Sequence, residues 1–355
     1  MGLIKEKCSR CGKIFDLRFS YQVTKTHTNE NLYFCSVSCK EPSITKESSQ
    51  TCSFCGKETT IATVVQIATS NNKSLYFCGY PCRQNYFTNK PSDEKAELPI
   101  RKIALLNHKG GTAKTTTAVN LAAGLATKGK RVLLIDLDSQ GHVGVCLGIT
   151  HVRSMYHLLV EDAELSKCIV SARPNLDVIL ANESMASAEI KLVNFQDREH
   201  VLSKRLCKAE GYDYIIIDCP PSLSLLNQNA LIFAHEVFIP VSCDYLSLVG
   251  VKHAIKTIKT INQLHGNNTE VTGVIPTFYD VRNSISFEAV NSLTKYFNDK
   301  VLPPIRINTK LKEAPSHQKT IFEYDPESRG ASDYNQIVTA VISMEETVIR
   351  SLYNE

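Results

Sequence analysis

A short loop between an apolar segment and an Ala/Leu-rich segment most limits the folds open to this 355-residue chain. The apolar segment 102–107 predicts a strand, the loop 108–116 carries the adjacent Gly110 and Gly111, and residues 117–128 predict a helix. Apolar strands continue to alternate with helical stretches after this unit, which is typical of a sheet built from βαβ units. We therefore predict an α/β fold with a mainly parallel twisted sheet flanked by helices.

The loop has the composition of a phosphate-binding site. A helix N-terminus offers free backbone N–H groups to phosphate oxygens, and glycines let the backbone approach them closely. Lys114 is placed to reach the β- and γ-phosphates of a nucleotide, and the Thr115 hydroxyl is placed to bind Mg²⁺. The predicted nucleotide-binding residues are Gly110, Gly111, Thr112, Ala113, Lys114, Thr115 and Thr116.

Two further apolar segments end in aspartates. Residues 131–141 predict a strand followed by Asp136 and Asp138, and residues 212–222 predict a buried strand that ends in Asp218. Each carboxylate follows a run of β-branched or leucine residues, so it is expected at the carboxyl edge of the sheet, where open α/β folds bind ligands. Three such motifs in this order predict a P-loop nucleoside triphosphatase fold.

The loop departs twice from the general P-loop pattern G-x4-G-K-[ST], because His108 and Ala113 stand where that pattern has glycine. The remaining pattern is similar to the deviant Walker A signature of the ParA/MinD superfamily of ATPases, Lys109-Gly110-Gly111-x-x-Lys114-Thr115. Downstream, residues 313–317 and 324–331 resemble segments of the ParA/Soj branch. The resemblance covers about residues 100–345.

This resemblance implies an ATPase that uses ATP and Mg²⁺ and forms a homodimer when ATP is bound. The lysine at the position of Lys109 would cross the dimer interface to the partner's phosphates and assist phosphoryl transfer there. Asp138 would orient the attacking water, Asp136 would help to hold the magnesium shell, and Asp218 would hold Mg²⁺ through water. The predicted catalytic residues are thus Lys109, Lys114 and Asp138, and the predicted magnesium residues are Thr115, Asp136 and Asp218.

The first ninety residues contain an internal repeat of cysteine pairs. In each copy a Cys-x2-Cys-Gly-Lys turn is followed, after 23 or 22 residues, by Cys-x3-Cys. Four thiolates close a tetrahedral zinc site with no open position, so we predict two structural Zn²⁺ ions. The pattern resembles treble-clef fingers of the TRASH and MYM type. The predicted ligands are Cys8, Cys11, Cys35 and Cys39 in the first copy and Cys52, Cys55, Cys78 and Cys82 in the second.

Changes in composition along the chain predict its domain organisation. We expect zinc modules at 1–45 and 46–88, a polar linker at 89–99 that contains two prolines, and an ATPase domain at 100–355. No stretch offers the roughly 20 apolar residues of a membrane span, and the amino terminus lacks the apolar core of a secretory signal. We therefore expect a cytoplasmic protein with no membrane partner and with reduced or metal-bound thiols.

The net charge of +4 does not by itself predict nucleic-acid binding. Residues 1–98 carry 13 Lys/Arg and 9 Asp/Glu, whereas residues 99–355 carry 27 of each, and eight zinc-bound thiolates would cancel the excess of the first part. DNA binding would therefore need a local basic patch. Similarity to basic segments of ParA proteins suggests Arg306, Lys310, Lys312, Lys319 and Arg329, and a further basic stripe on one helical face contains Lys252, Lys256 and Lys259.

Two functions remain open at this point. The first is an ATP-dependent dimer that associates with the nucleoid through non-specific DNA binding and partitions DNA together with a centromere-binding, ParB-like protein. The second is a regulator whose zinc modules select a nucleic acid or a protein, while ATP only switches the oligomeric state. Asp138 favours the first function, because a pure scaffold does not need a carboxylate that orients water. The zinc modules keep the second function open.

Overall fold

The structure is a computed structural model that describes residues 5–16, 23–25, 31–35, 49–60, 67–70, 73–78, 82, 86, 100–222 and 224–354. Met1–Glu97 makes up most of one compact unit, and Leu98–Leu352 forms a second. The predicted linker at 89–99 lies outside the described residues. In the described part of the chain, none of the helices combines the length and apolar character that crossing a membrane requires.

The first unit contains four short antiparallel strand pairs among its described residues. The pairs are β1 (Lys5–Lys7) with β2 (Ile14–Asp16), β3 (Val23–Lys25) with β4 (Asn31–Tyr33), β5 (Ser49–Thr51) with β6 (Glu58–Thr60), and β7 (Ile67–Ser70) with β8 (Lys73–Tyr76). The order of the first two pairs repeats in the second two, which agrees with the internal repeat of the sequence.

A seven-stranded sheet forms the centre of the second unit. Its strands are β9 (Arg101–Leu105), β10 (Val132–Asp136), β11 (Val170–Arg173), β12 (Leu176–Ile179), β13 (Tyr214–Asp218), β14 (Glu236–Ser242) and β15 (Glu270–Thr277). The spatial order is β11-β12-β10-β13-β9-β14-β15, and every pair is parallel except β11 with β12. The predicted P-loop α/β fold with a mainly parallel sheet is confirmed.

Helices connect these strands and cover the sheet. They are α1 (Lys114–Thr127), α2 (His142–Leu147), α3 (Met155–Val160), α4 (Leu165–Cys168), α5 (Met185–Leu192), α6 (Val201–Arg205), α7 (Leu225–Phe233), α8 (Tyr245–His265), α9 (Ser284–Phe297), α10 (Thr309–Glu313), α11 (Ile321–Tyr324) and α12 (Arg329–Asn354). Short 3-10 turns lie at 198–200, 298–300 and 314–317.

The central strands are buried on both faces, as expected for a parallel sheet covered by helices. Along β13, Ile215 and Ile217 join the core cluster on one face, whereas Tyr214 and Ile216 join the cluster on the other. Each such side chain contributes roughly 1.5–3 kcal/mol by its burial. The long carboxyl-terminal helix α12 packs on the second cluster through the buried residues Tyr334, Ile337, Val338 and Val341.

Candidate functional site

The register of the parallel strands brings the predicted site residues to one edge of the sheet. Asp136 at the end of β10 pairs with Asp218 at the end of β13, and Asp218 pairs with Leu105 at the end of β9. The loop that follows β9 spans residues 106–113 and leads into α1. Residues more than 100 positions apart in sequence therefore meet where the predicted phosphate loop leaves the sheet.

The loop after β9 has an open backbone surface. A Cβ atom added at Gly110 or Gly111 would meet no heavy atom within 4 Å among the described residues, and Gly111 has a φ of 72°. Two hydrogen bonds anchor the loop to the neighbouring strands β14 and β15. The Asn107 amide donates to the Pro240 carbonyl at 2.7 Å, and the Thr277 hydroxyl donates to the Thr112 carbonyl at 3.2 Å. This open cradle of backbone fits a group as large as a nucleotide's phosphates.

Ala113, the second departure from the P-loop pattern, keeps the backbone conformation that a glycine would have. It lies in the left-handed region with φ 67° and ψ 31°, and it precedes the first residue of α1. Its carbonyl accepts the Thr117 N–H at 2.9 Å, so the first turn of the helix forms normally. A side chain in this region costs roughly 1–2 kcal/mol, which a glycine at this position would avoid.

Lys114 lies inside the loop rather than on its surface. Only 8% of the residue is exposed, and its Nζ atom donates to the Lys109 carbonyl at 3.2 Å. Burial lowers the pKa of Lys114, because a cation loses hydration there. An anionic ligand at the cradle would restore the charge stabilisation that this ammonium lacks.

Asp218 carries a buried carboxylate whose two oxygen atoms have no hydrogen-bond partner among the described residues. Burial raises the pKa of Asp218 to about 7, and the nearby Thr115 hydroxyl and Lys114 ammonium act in the opposite direction. An unsatisfied buried carboxylate is costly unless a cation or a hydrogen-bond donor joins it. The site therefore fits a divalent cation with its water shell beside Asp218 and Thr115.

The Asp136 carboxylate orders the loop that carries Asp138. One of its oxygens accepts the Asp138 N–H at 3.0 Å, and the other accepts the Val143 N–H at 3.3 Å. Burial and the neighbouring Asp218 raise the pKa of Asp136. Asp138 itself is half-buried, and its Oδ1 atom accepts the Gln140 N–H at 3.0 Å. Both carboxylates thus lie at the predicted edge, where Asp136 supports the loop and Asp138 is close enough to influence the pKa values of Lys114 and Asp218.

Lys109 makes contacts within its own chain that the sequence did not reveal. Its Nζ atom donates to both carboxylate oxygens of Asp244, at 2.9 and 3.0 Å, and to the Ser247 hydroxyl at 2.8 Å. Asp244 also caps α8, because it accepts the Ser247 N–H at 2.9 Å. An aspartate three residues before a serine at a helix start was the available signal, but it indicates a cap and not a partner for a distant lysine.

His108, the first departure from the P-loop pattern, connects the loop to α8. Its Nε2 atom lies 3.1 Å from the Thr257 hydroxyl oxygen, and its buried Nδ1 atom has no hydrogen-bond partner among the described residues. Burial lowers the pKa of His108. In the sequence, His108 stands out only as a replacement for glycine, and no local pattern links it to Thr257.

The predicted DNA-contacting residues do not share one environment. The Arg306 Nε atom donates to Asp333 at 3.0 Å, and Lys310 Nζ donates to Glu313 at 3.0 Å. These two charges are therefore paired within the domain. The remaining candidates are exposed, and they are Lys312, Lys319, Arg329 and the three α8 residues Lys252, Lys256 and Lys259.

The two cysteine repeats of the first unit have the same local hydrogen-bond pattern. In the first copy the Cys8 N–H donates to the Lys13 carbonyl at 2.9 Å and the Tyr33 N–H donates to the Ser9 hydroxyl at 3.0 Å. In the second copy the corresponding bonds join Cys52 to Lys57 at 2.9 Å and Tyr76 to Ser53 at 3.1 Å. Each Cys-x2-Cys turn is thus fixed against the strand that leads to the second cysteine pair.

The sulfur atoms of the second copy converge. Cys52, Cys55, Cys78 and Cys82 place their Sγ atoms within 4.8 Å of one another, with 3.6 Å between Cys55 and Cys78 and 3.3 Å between Cys78 and Cys82. A tetrahedral Zn²⁺ site has sulfur–sulfur distances of about 3.8 Å. Although burial raises the pKa of Cys52, backbone N–H groups of Cys55 and Cys78 lower it to about 6, which favours the thiolate that a metal needs.

The first copy has the same arrangement at three of its four cysteines. Cys8, Cys11 and Cys35 converge, with 3.5 Å between the Sγ atoms of Cys11 and Cys35, whereas Cys39 lies outside the described residues. The Cys11 backbone N–H is the largest influence that lowers the pKa of Cys8, to about 6. Both clusters therefore fit a thiolate-bound metal.

Comparison with known proteins agrees with the geometry of the second unit. Residues 100–271 match a protein-family model described as an AAA domain. The chain is 44% identical over 246 residues to the sporulation initiation inhibitor protein Soj of Bacillus subtilis, which covers 67% of this chain and 97% of Soj. It is 38% identical over 255 residues to the chromosome partitioning protein ParA of Caulobacter vibrioides, which covers 70% of this chain and 96% of ParA.

Comparison with a solved structure shows the same fold for most of the chain. A structure of cobyrinic acid a,c-diamide synthase from Mycobacterium smegmatis with bound ADP and magnesium superimposes with a TM-score of 0.61 at 33% identity, covering 70% of this chain and 96% of that one. The predicted resemblance to ParA and Soj is confirmed for the second unit. With its phosphate loop and its three aspartates at one sheet edge, this chain belongs to the ParA/Soj family of P-loop partition ATPases.

Proposed function

We propose that the protein is an ATP- and Mg²⁺-dependent partition ATPase that works as a nucleotide-dependent homodimer on DNA. The observation that carries this proposal is the convergence at one sheet edge of three features: an open backbone cradle, an Asp218 carboxylate without a hydrogen-bond partner among the described residues, and the half-buried Asp138 near Lys114 and Asp218. Similarity to Soj and ParA supports the same conclusion.

Different residues of the site would bind different parts of the Mg²⁺–nucleotide complex. Backbone N–H groups of Gly110 and Gly111 and the start of α1 would hold the phosphates, and Lys114 would bind the β- and γ-phosphates. Thr115 and Asp218 would hold Mg²⁺, with Asp136 as a support of the neighbouring loop. The metal supplies charge neutralisation to the phosphoryl group, whereas the protein supplies position and a water-excluding site.

Hydrolysis in this proposal depends on two residues that act at different places. Asp138 accepts a hydrogen bond from the attacking water and holds it in line with the γ-phosphate. Lys109 leaves Asp244 and Ser247 and contacts the phosphates bound by the partner subunit, where its charge stabilises the leaving oxygens. A monomer would lack this second charge and would hydrolyse ATP slowly.

The two cysteine clusters would each bind one structural Zn²⁺ ion. Four thiolates in the second copy, and three described thiolates plus Cys39 in the first, provide closed ligand sets. The described residues of each copy contain few buried apolar side chains, so metal binding would supply much of the folding free energy.

The partners in this proposal are DNA without sequence preference and a centromere-binding, ParB-like protein that stimulates hydrolysis. The protein would then reside in the cytoplasm on the nucleoid. The candidate DNA-contacting residues are the basic ones named above, Arg306 and Lys310 being paired with carboxylates in the structure. A second candidate function, favoured by the two cysteine clusters, is a regulator that the zinc modules direct to its target.

DNA binding in each nucleotide state separates the two functions. We would measure binding of full-length protein and of residues 99–355 to duplex DNA with ATP, with ADP and without nucleotide, at two salt concentrations. The partition ATPase predicts binding by both proteins only with ATP and a steep loss of affinity with salt. Binding by the full-length protein alone, regardless of nucleotide, would instead support the regulator.

Two substitutions test the roles of the site residues. Lys114→Ala should abolish ATP binding, because the buried ammonium is the main cation of the cradle. Asp138→Ala should retain ATP binding and accumulate a stable ATP-bound dimer in size-exclusion chromatography. Glu183→Ala is a matched control that removes an exposed carboxylate near the same loop. Normal turnover by Asp138→Ala would contradict the role of Asp138.

A further inference from the structure

The helix α8 has two faces of different character. The buried face contains Ser247, Val251, Ala254, Ile258 and Ile261, whereas Lys252, Lys256 and Lys259 are exposed. With 100° between successive residues, the three lysines fall on one side of the helix, roughly opposite the buried face. The segment 245–269 contains no aspartate or glutamate, so the charge of the stripe is not balanced by its own helix.

The lysine stripe differs in this respect from Arg306 and Lys310, two of the five basic candidates in the carboxyl-terminal region. There, Arg306 is bound to the buried Asp333 and Lys310 to Glu313, so their charges are largely neutralised. A phosphate would have to displace a carboxylate from each of them. The lysines of α8 can meet a polyanion without breaking an ion pair on their own helix.

The buried side of α8 lies directly against the phosphate loop. Asp244 and Ser247 bind the Lys109 ammonium, and Thr257 meets His108 at 3.1 Å. Between these points, a Cβ atom added at Gly250 would lie 3.3 Å from the Asn107 Oδ1 atom and 3.8 Å from the Lys109 Cβ atom. A helix normally loses about 1 kcal/mol at an interior glycine, and the close approach to the loop explains this one.

We propose that the outer face of α8, formed by Lys252, Lys256 and Lys259, is a contact surface for the phosphate backbone of duplex DNA. This inference rests on the proposed function and specifies where the DNA lies. The stripe is about 10.5 Å long, and one DNA strand presents about three phosphates over that length. Because the opposite side of the same helix holds Lys109, release of Lys109 in the ATP-bound dimer changes the contacts that position the stripe.

The test compares two triple variants of the full-length protein. The first is K252Q/K256Q/K259Q, and the second is the control K128Q/K208Q/K295Q, which removes the same charge from exposed lysines on other elements. Each protein is titrated onto a fluorescent 30-base-pair duplex with Mg²⁺ and a non-hydrolysable ATP analogue at several salt concentrations. ATP-dependent dimerisation and the thermal melting of each variant are measured in parallel.

The stripe variant should dimerise normally and bind DNA more weakly. The magnitude of its slope of log K against log salt should fall by about 2.7, for three lost phosphate contacts, for each stripe of the dimer that contacts the duplex. The control variant should keep nearly the DNA affinity and the salt slope of the wild-type protein. A stripe variant with wild-type affinity and slope would overturn this inference while leaving the proposed function intact. Wild-type protein that dimerises with the ATP analogue but does not bind the duplex at any salt concentration would overturn both.

Discussion

At the scale of single residues, the site uses conformations and charges that are unfavourable until a nucleotide is present. Ala113 places a Cβ atom in the left-handed region, Lys114 is a buried cation, and Asp218 is a buried carboxylate without a hydrogen-bond partner among the described residues. Each feature lowers the stability of the nucleotide-free protein. A bound Mg²⁺–nucleotide complex would compensate both buried charges, the Lys114 ammonium and the Asp218 carboxylate. The stability of the fold therefore depends on whether the site is occupied.

The Asp218 carboxyl should make the nucleotide-free protein less stable as the pH rises. Its folded pKa of about 7 exceeds the ordinary value near 3.9, so the folded state binds more protons than the unfolded state between roughly pH 4 and 7. The free energy of unfolding therefore falls through this window and stays low above it. Asp218→Asn should be more stable than wild type by about 1–4 kcal/mol at pH 8, and by much less at pH 4.5.

Urea denaturation in EDTA at the two pH values measures this difference. The measurement at pH 4.5 is the internal control, because the carboxyl is then protonated in wild type as well. Equal effects of the substitution at both pH values would show that the Asp218 charge does not destabilise the fold. Addition of Mg²⁺ and ATP should stabilise only the wild-type protein, since the variant lacks the carboxylate that would hold the cation.

The Lys109–Asp244 contact should compete with dimer formation. Asp244→Asn keeps an oxygen for the helix cap but removes the charge that holds the Lys109 ammonium. The pair is partly exposed and contributes roughly 0.2–1 kcal/mol, and two such pairs break in each dimer, so the variant should form the ATP-bound dimer at a protein concentration up to roughly 30-fold lower. Analytical ultracentrifugation measures the shift. Ser247→Ala is the matched control for loss of a neutral contact, and an unchanged dimerisation constant in Asp244→Asn would reject the competition.

At the scale of secondary-structure elements, α1 connects the nucleotide site to the core of the second unit, because it follows the phosphate loop directly and packs between the sheet and α12. Gly124 permits this packing: a Cβ atom there would lie 2.5 Å from Val338 Cγ2 and 3.1 Å from the Phe322 ring. The helical glycine therefore serves a close approach between two helices.

Gly124→Ala should destabilise the protein by roughly 1 kcal/mol. Overpacking of a close contact costs roughly 1–3 kcal/mol, whereas alanine gains about 1 kcal/mol of helix propensity. In the double variant Gly124→Ala/Val338→Ala, the smaller residue at 338 makes room for the added methyl group. Its loss of stability should therefore be smaller than the sum of the losses in the two single variants. Thermal unfolding of both single variants and the double variant measures the coupling. Strictly additive losses would show that the two residues do not compete for space.

At the scale of the whole molecule, the chain combines two compact units that are stabilised in different ways. The ATPase unit has a continuous apolar core on both faces of its sheet. Arg101 ties three elements of it together, with Nε bound to Glu236 at 2.7 Å and Nη1 bound to the Val341 carbonyl at 2.7 Å. The described part of the first unit instead has short strand pairs around two cysteine clusters.

Removal of zinc should therefore affect the two units unequally. We expect two Zn²⁺ ions per chain by elemental analysis, one in Cys52→Ser, and two in the control Cys207→Ser, which changes an exposed cysteine outside the clusters. A strong chelator should unfold the first unit while ATP binding by the second survives, because the latter has its own core. Protease digestion reports which unit opens. Resistance of residues 1–97 to proteolysis after complete zinc removal would contradict the structural role of the metal.

The sequence alone predicted those features whose residues are neighbours in the chain. The loop from Lys109 to Thr115, the aspartates at the ends of β10 and β13, the fold class and the cysteine pairs all follow from local spacing and strand or helix periodicity. These signals suffice because backbone geometry within a few residues decides where each side chain points.

Only the tertiary structure decided which distant residues bind one another. The Lys109 ammonium meets an aspartate 135 positions away, and His108 meets Thr257, 149 positions away. Arg306, which stays a predicted DNA contact, is paired with Asp333, 27 positions away. Parallel crossovers bring such residues together at a sheet edge, and an ion pair depends on distances of a few ångströms that only the folded chain sets.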